Sequence, residues 1–77
     1  GIRVNAVCPG WVDTTFNAAS IRNLGGVDGQ AEAIARHVPM NRQANRDEIA
    51  PMFVYLASDE ASYVTSQAFA IDGGMTN

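Results

Sequence analysis

Ile2-Arg3-Val4-Asn5-Ala6-Val7-Cys8-Pro9-Gly10-Trp11-Val12-Asp13-Thr14 is the stretch that decides how the chain folds. Residues 2–8 alternate as a strand does. Ile2, Val4, Ala6 and Cys8 fall on one face, and Val7 adds an apolar contact to the other. Apolar groups on both faces mark a mostly buried strand, as in a sheet covered on both sides. Pro9-Gly10 stops it abruptly, because proline has no amide hydrogen to give and glycine lets the chain turn. Asn5 is polar within this strand and must find hydrogen-bond partners, so it is expected to cross-link neighbouring backbone.

Downstream of the turn, Asp13 or Thr14 can cap a short helix over roughly 14–24, with Phe16, Ala19, Ile21 and Leu24 as a loose stripe. Gly25-Gly26 ends it, and Val27-Asp28-Gly29 reads as a turn. A second short helix is expected over 30–38, carrying Ala31, Ile34, Ala35 and Val38 at offsets of three, four and seven, closed by Pro39. Residues 46–58 give the clearest helix, with Ile49, Phe53, Leu56 and Ala57 on one face. Asn45 followed three residues later by Glu48 fits a capping box. Pro51 removes one backbone bond in the second turn. After a polar turn over 59–66, Gln67-Ala68-Phe69-Ala70-Ile71-Asp72 reads as a second strand that stops at Gly73-Gly74.

Strand, helices, strand is the order of a parallel pair joined by a right-handed crossover. The fold class is therefore α/β. Two parallel strands cannot cover both of their own faces. Further strands are expected beside them, and a chain that opens inside a strand reads as truncated.

Composition narrows the function. The 77 residues are 47% hydrophobic and 17% charged, with a net charge of −3 from eight carboxylates against five arginines. No basic cluster exists, which argues against a nucleic-acid surface. The apolar runs are only a few residues long, too short for a membrane-spanning helix. Cys8 is the single cysteine, so no intrachain disulfide forms, and no Cys/His cluster offers a structural zinc site. One unpaired cysteine suits a reducing compartment, and the cytoplasm is the expected location.

Three stretches together resemble the short-chain dehydrogenase/reductase family. The first is residues 2–14, similar to that family's sixth strand and its Pro-Gly-x-Val/Ile-x-Thr turn. The second runs from Pro39-Met40-Asn41-Arg42 through Asp47-Glu48-Ile49-Ala50 to Leu56-Ala57-Ser58-Asp59-Glu60-Ala61-Ser62-Tyr63-Val64-Thr65, similar to the penultimate helix and the turn after it. The third is Ala70-Ile71-Asp72-Gly73-Gly74, similar to the last strand and its exit. Each alone is weak, and their order and spacing make the resemblance specific. Ser66 stands where the family usually has Gly, so the turn there is expected to be tighter or differently shaped. Arg46 stands where Pro often opens the helix.

The resemblance implies the C-terminal part of a Rossmann-like doubly wound parallel sheet, its last two strands with the intervening helices. It divides the chain into 1–14, strand and cofactor turn; 15–38, variable substrate loop; and 39–77, helix and last strand. It also implies a cofactor, NAD or NADP, and an alcohol/ketone substrate. Pro9 and Gly10 would form the turn, and Val12 would offer its backbone N–H and C=O to the nicotinamide carboxamide. Thr14 would offer its hydroxyl to the carboxamide or to a phosphate oxygen. Trp11 and Phe16 flank the turn, and either line the substrate pocket or pack against the rest of the core. Helix 46–58 and strand 68–72 correspond to the family's usual subunit interface, so a homodimer or homotetramer is expected of the parent protein.

The family's catalytic pair, a Tyr followed four residues later by Lys, is absent. The chain has no lysine; Tyr55 is followed at that offset by Asp59, and Tyr63 by Gln67. The Gly-rich phosphate turn after a first strand is missing too, since Gly25, Gly26 and Gly29 follow a helix. No catalytic residue and no metal ligand are therefore assigned. A non-catalytic interaction or dimerisation module remains the alternative function. His37 reads as a surface residue near a helix C-terminus, Cys8 as a buried structural thiol, and Arg42 as a partner for either a carboxylate or a phosphate.

Overall fold

The computed structural model describes residues 1–13 and 22–77. Among the described residues the regular elements include strand β1 (Ala6–Pro9), helix α1 (Gly26–His37), helix α2 (Arg46–Ala57), a 3-10 turn at Asp59–Ala61, and strand β2 (Ala68–Ile71). The two strands are parallel, in the register Ala6 with Ala68 through Pro9 with Ile71. The α/β crossover expected from the order of elements is what forms.

The first strand is shorter than its alternation suggests. Ladder pairing begins at Ala6, yet the residues before it are not loose. The Val4 N–H donates to the Thr65 hydroxyl (3.1 Å) and the Val4 carbonyl accepts from the Ser66 N–H (2.7 Å). Asn5 does what a polar residue in a strand must. Its Nδ2 donates to the Val64 carbonyl and its Oδ1 accepts from the Gln67 N–H, both at 3.1 Å. Arg3 reaches the Leu56 carbonyl (3.0 Å), and lies 3.4 Å from that of Ser58, at the end of α2. The Leu56 carbonyl lies in the last turn of α2, where no intrahelical donor follows, so the guanidinium serves as a C-terminal cap; the Ser58 carbonyl also accepts the Ala61 N–H at 3.2 Å.

The face on which Ile2, Val4, Ala6 and Cys8 lie is open, which corrects the expectation of a buried strand. Ile2 is 91% and Val4 69% exposed, and Cys8 is an exposed free thiol, not a buried one. The physical reason is that α2 covers only the opposite face. There Phe53, Leu56 and Ala57 line the same gap, about 340 Å³, as Arg3, Asn5 and Val7.

Helix α1 starts at Gly26, four residues before the expected start at 30. Gly25 and Gly26 take the left-handed φ values of 94° and 84° expected of a helix stop, but the chain re-enters helix at once. Gly29 belongs to that helix and not to a turn, and a Cβ there would run into the Leu24 carbonyl oxygen. The helix expected over 14–24 falls mainly on residues outside the described ones; Arg22 and Asn23 are helical.

Helix α2 is continuous through Pro51. Of its expected core stripe only Ile49 is buried. Phe53 is 55% exposed, and Val54 on another side 69%. A helix apolar around most of its circumference is suited to burial on several sides. The buried apolar residues are Ile34, Val38, Ile49 and Ala61, a thin core. The radius of gyration, 14.7 Å, exceeds the roughly 11–12 Å of a compact domain of this length. The chain's own elements therefore leave most of their apolar surface uncovered.

Candidate functional site

The site grows from the carboxyl ends of the two strands, the end of an open α/β sheet where ligands bind. Pro9 faces Ile71 on the last rung, and the Gly10 N–H continues the ladder to the Ile71 carbonyl at 3.1 Å. A Cβ on Gly10 would lie 2.8 Å from the Cβ and 3.0 Å from the Cα of Asp72. Glycine is thus required here by the neighbouring strand exit, a packing reason that the motif alone does not reveal.

Beyond Gly10 the chain is clamped by Ala44. The Ala44 N–H donates to the Trp11 carbonyl (2.9 Å), and the Asp13 N–H donates to the Ala44 carbonyl (2.8 Å). Val12 and Ala44 form a parallel bridge between these two bonds. Successive peptide groups of an extended segment alternate sides. The N–H and C=O of Val12 itself therefore point away from Ala44.

The segment that carries Ala44 is tied down along its length. At the end of α1 the Val38 N–H closes on the Ile34 carbonyl and the Asn41 N–H on the Val38 carbonyl, both at 2.8 Å. Asn41 adopts φ 60°, a left-handed position that Asn tolerates better than most residues. The Met40 N–H reaches the Gly73 carbonyl at 3.1 Å. Buried Gln30 donates through Nε2 to Gln43 Oε1 at 3.1 Å. Arg42 makes a two-pronged ion pair with Glu48, at 2.8 and 2.9 Å. Glu48 Oε1 also accepts the Asn45 N–H at 3.1 Å, the capping-box bond that the spacing foretells. The side-chain bonds from Arg42, with the Asn45 backbone N–H next in weight, hold the Glu48 carboxyl down to about 2. Glu48 in turn raises the guanidinium above its ordinary value.

The strand exit supplies the third wall. The Asp72 carboxylate accepts from the Gly74 N–H (3.0 Å), the Thr76 N–H (3.1 Å) and the Thr76 hydroxyl (2.6 Å). The hydroxyl bond, first among its causes, lowers the Asp72 carboxyl below its usual range. Gly74 sits at φ 93°, and a Cβ there would meet Pro39 at 3.0 Å.

Between these walls lies a cleft of about 160 Å³. Trp11, Val38, Met40 and Ile71 give it apolar sides, and Arg42, Glu48 and Asp72 line it with charge. Pockets that enclose a whole small molecule run to roughly 300–1,000 Å³, so this cleft is too small to enclose one.

Pro9, Gly10, Trp11 and Val12 run past the carboxyl ends of the strands, and of these four Trp11 lines the cleft. Thr14 and Phe16 lie outside the described residues. His37 is an exposed residue at the end of α1. Among the described residues, no group of three or more His, Cys, Asp or Glu could hold a metal, and no helix is long and apolar enough to cross a membrane. Ala44 and the Arg42–Glu48 pair were not singled out as site residues by sequence. For the pair a signal existed: an arginine shortly before a capping glutamate.

The family model described as enoyl-(acyl carrier protein) reductase matches residues 1–76. A short-chain dehydrogenase of Aspergillus ruber, fogB, is 47% identical over 76 residues, covering 99% of this chain and 27% of its own. The 2-keto-3-deoxy-L-fuconate dehydrogenase of Xanthomonas campestris is 44% identical over 79 residues, covering 100% of this chain and 26% of its own. The crystal structure of YwfH, an NADPH-dependent reductase involved in bacilysin biosynthesis, superposes with a TM-score of 0.89 at 31% identity, over 99% of this chain and 30% of that one. The chain therefore spans about a quarter of the length of these two curated relatives. With the parallel strand pair, the clamped Pro-Gly turn and the Asp-Gly-Gly exit all in place, the chain belongs to the short-chain dehydrogenase/reductase family.

Proposed function

We propose that this chain is the C-terminal part of an NAD(P)-dependent oxidoreductase that interconverts an alcohol and a carbonyl. The observation that carries this reading is the clamp on Val12. A carboxamide presents an NH₂ donor and a C=O acceptor. By the family resemblance the Val12 N–H and C=O would meet those two groups, and the Ala44 bonds to the peptide groups on either side hold the segment in place at the strand ends. The cofactor, when bound, supplies or accepts the hydride. The chain's own residues bind and orient: Pro9 and Gly10 set the turn against Asp72, Val12 fixes which ring face is presented, and Thr14 adds its hydroxyl. Trp11 and Phe16 border the substrate side. Residues 15–38 form the variable substrate loop, and 39–77 form the supporting helix and last strand. Relatives named as dehydrogenases of sugar acids and other small molecules support an alcohol/ketone substrate.

Proton transfer comes from outside this segment, since the sequence has no lysine. A Ser, a Tyr and a Lys upstream would position the substrate oxygen and move its proton. The exposed apolar residues of α2, with a groove of about 600 Å³ lined by Ala50, Pro51, Val54 and Tyr55, support pairing of two copies in a homodimer or homotetramer. The single unpaired cysteine supports a cytoplasmic location.

The test is expression of the parent coding sequence with this segment intact. It should contain a Gly-rich turn and a Tyr-x-x-x-Lys pair upstream and oxidise secondary alcohols with NAD or NADP. The purified 77-residue chain should show no turnover and only very weak cofactor binding. Lack of both upstream elements, or turnover by the segment alone, overturns the reading.

A further inference from the structure

Several interactions converge on the short segment Arg42–Asn45, and one carboxylate organises three of them. Glu48 accepts both prongs of the Arg42 guanidinium and the Asn45 N–H. Arg42 also approaches the Gln43 carbonyl at 3.3 Å, and Gln43 is held from α1 by Gln30. The segment is wrapped around the first turn of α2 by the Glu48 side chain, with the Asn45 side chain and carbonyl returning to the Glu48 N–H. Ala44, in the middle of the wrap, makes the two backbone bonds that clamp Trp11 and Asp13.

We infer that Arg42 and Glu48 are positioning residues for nicotinamide. The pair fixes Ala44, Ala44 fixes the peptide groups on either side of Val12, and the aim of the Val12 N–H and C=O follows. This rests on the reading of Pro9–Thr14 as the nicotinamide turn.

Three features argue that the pair acts on the turn and not chiefly on the fold. First, the side chains of Arg42 and Glu48 are 51% and 39% exposed, and ion pairs that exposed contribute little to global stability. Second, the contact is two-pronged, the geometry that gives arginine its directional hold on a carboxylate. Third, the second ion pair among the described residues, Arg36 with Glu32, joins residues one turn apart within α1. It positions nothing outside its own helix. The Arg42–Glu48 pair spans a loop, and that loop touches the site.

The experiment uses the whole parent protein. NADH and NADPH binding is followed by cofactor fluorescence, and ADP-ribose and its 2′-phosphate by calorimetry. These last two lack the nicotinamide ring, so they report the rest of the cofactor site. Arg42→Met and Glu48→Ala are each expected to weaken the preferred reduced cofactor about tenfold, the scale of one charge-assisted hydrogen bond, and to leave ADP-ribose binding within about twofold. Arg42→Lys keeps the charge but not the fork, and should recover less than half of the loss on a logarithmic scale. Stereospecificity of hydride transfer, measured with cofactor deuterated on one face of C4, should fall in the same variants. A purely structural role would not move that readout selectively. If Glu48→Ala does not fold, Glu48→Gln replaces it, keeping the shape and an acceptor for Asn45, with about a threefold loss expected.

Unchanged NAD(P)H affinity in the pair variants, with a clear loss in Thr14→Ala, overturns the positioning role and leaves the cofactor turn standing. Parallel loss of NAD(P)H and ADP-ribose binding also overturns it, as a general disturbance. If Thr14→Ala and Val12→Pro both leave NAD(P)H binding unchanged while ADP-ribose binds normally, the turn reading itself fails, and the positioning role with it.

Discussion

The two ends of this molecule solve different problems. At the carboxyl ends of the strands, the described turns are held by bonds within the chain. Asp72 binds its own exit turn, Glu48 binds its own loop, and Ala44 clamps the Pro-Gly turn. On the sheet face that carries Ile2, Val4, Ala6 and Cys8, apolar groups stand uncovered. Local hydrogen bonds need only residues close together in space, and this segment supplies them. A hydrophobic layer needs area, and among the described residues the buried apolar ones, Ile34, Val38, Ile49 and Ala61, do not provide it. The site scaffold is therefore locally determined, while its stability depends on apolar cover that these elements do not supply themselves.

The sharpest way to break this contrast is a charge on the open face. Ala70 is exposed in β2. In the isolated chain Ala70→Asp should leave circular dichroism unchanged and reduce self-association. In the parent protein, where the rest of a doubly wound sheet would cover this face, the buried unpaired carboxylate should cost about 4 kcal/mol in a denaturant titration. Equal effects in both settings would show that the face is never covered. At the closed end, Gly10→Val forces a side chain into the Asp72 backbone, and about 3 kcal/mol of stability should be lost in the parent protein, with weaker cofactor binding. A loss under 1 kcal/mol would mean that the strand exits are less tightly joined than they look.

A smaller effect is expected at Ser66, which holds a left-handed φ of 60°. That conformation is unfavourable for a residue with a Cβ and neutral for glycine. Ser66→Gly should raise the thermal midpoint of the parent protein, by about 1 kcal/mol of added stability at most. The smallest effect concerns pH. Glu48 is held at about 2 in the folded chain, below the roughly 4.3 of an unfolded glutamate. Its folded-state pKa is depressed, so its contribution is complete above the unfolded value and fades as pH falls from about 4.3 towards 2. The slope of stability against pH in that window should flatten in Glu48→Gln; an unaltered slope would show that the pair does not persist in solution.

Much of this was legible in the residues. The parallel pair, the span of α2, the capping role of Glu48, the cross-link by Asn5 and the stop at Asp72-Gly73-Gly74 all follow from local pattern. Ser66 was a visible departure, and the left-handed backbone shows why glycine suits the position. Three things were not legible. The open face of β1 was read as buried because alternation reports which side is apolar, not whether anything covers it. Helix α1 began early because Gly29, a turn signal by composition, is used for close approach to Leu24. The clamp by Ala44 carries no side-chain signature at all, since both of its bonds are backbone bonds.

The bond from the Gln67 N–H to the Asn5 side chain spans 62 positions, and the β1–β2 ladder runs beside it. Pairing at such sequence distance is slow, because a long loop must close before any contact rewards it. During synthesis β1 emerges before β2 and waits, its apolar face uncovered, until β2 follows. That interval is when it is most open to pairing with the wrong chain. Expression yield of the parent protein should therefore respond to charges placed at Ile2 or Val4 through aggregation, before any effect on the finished fold is measured.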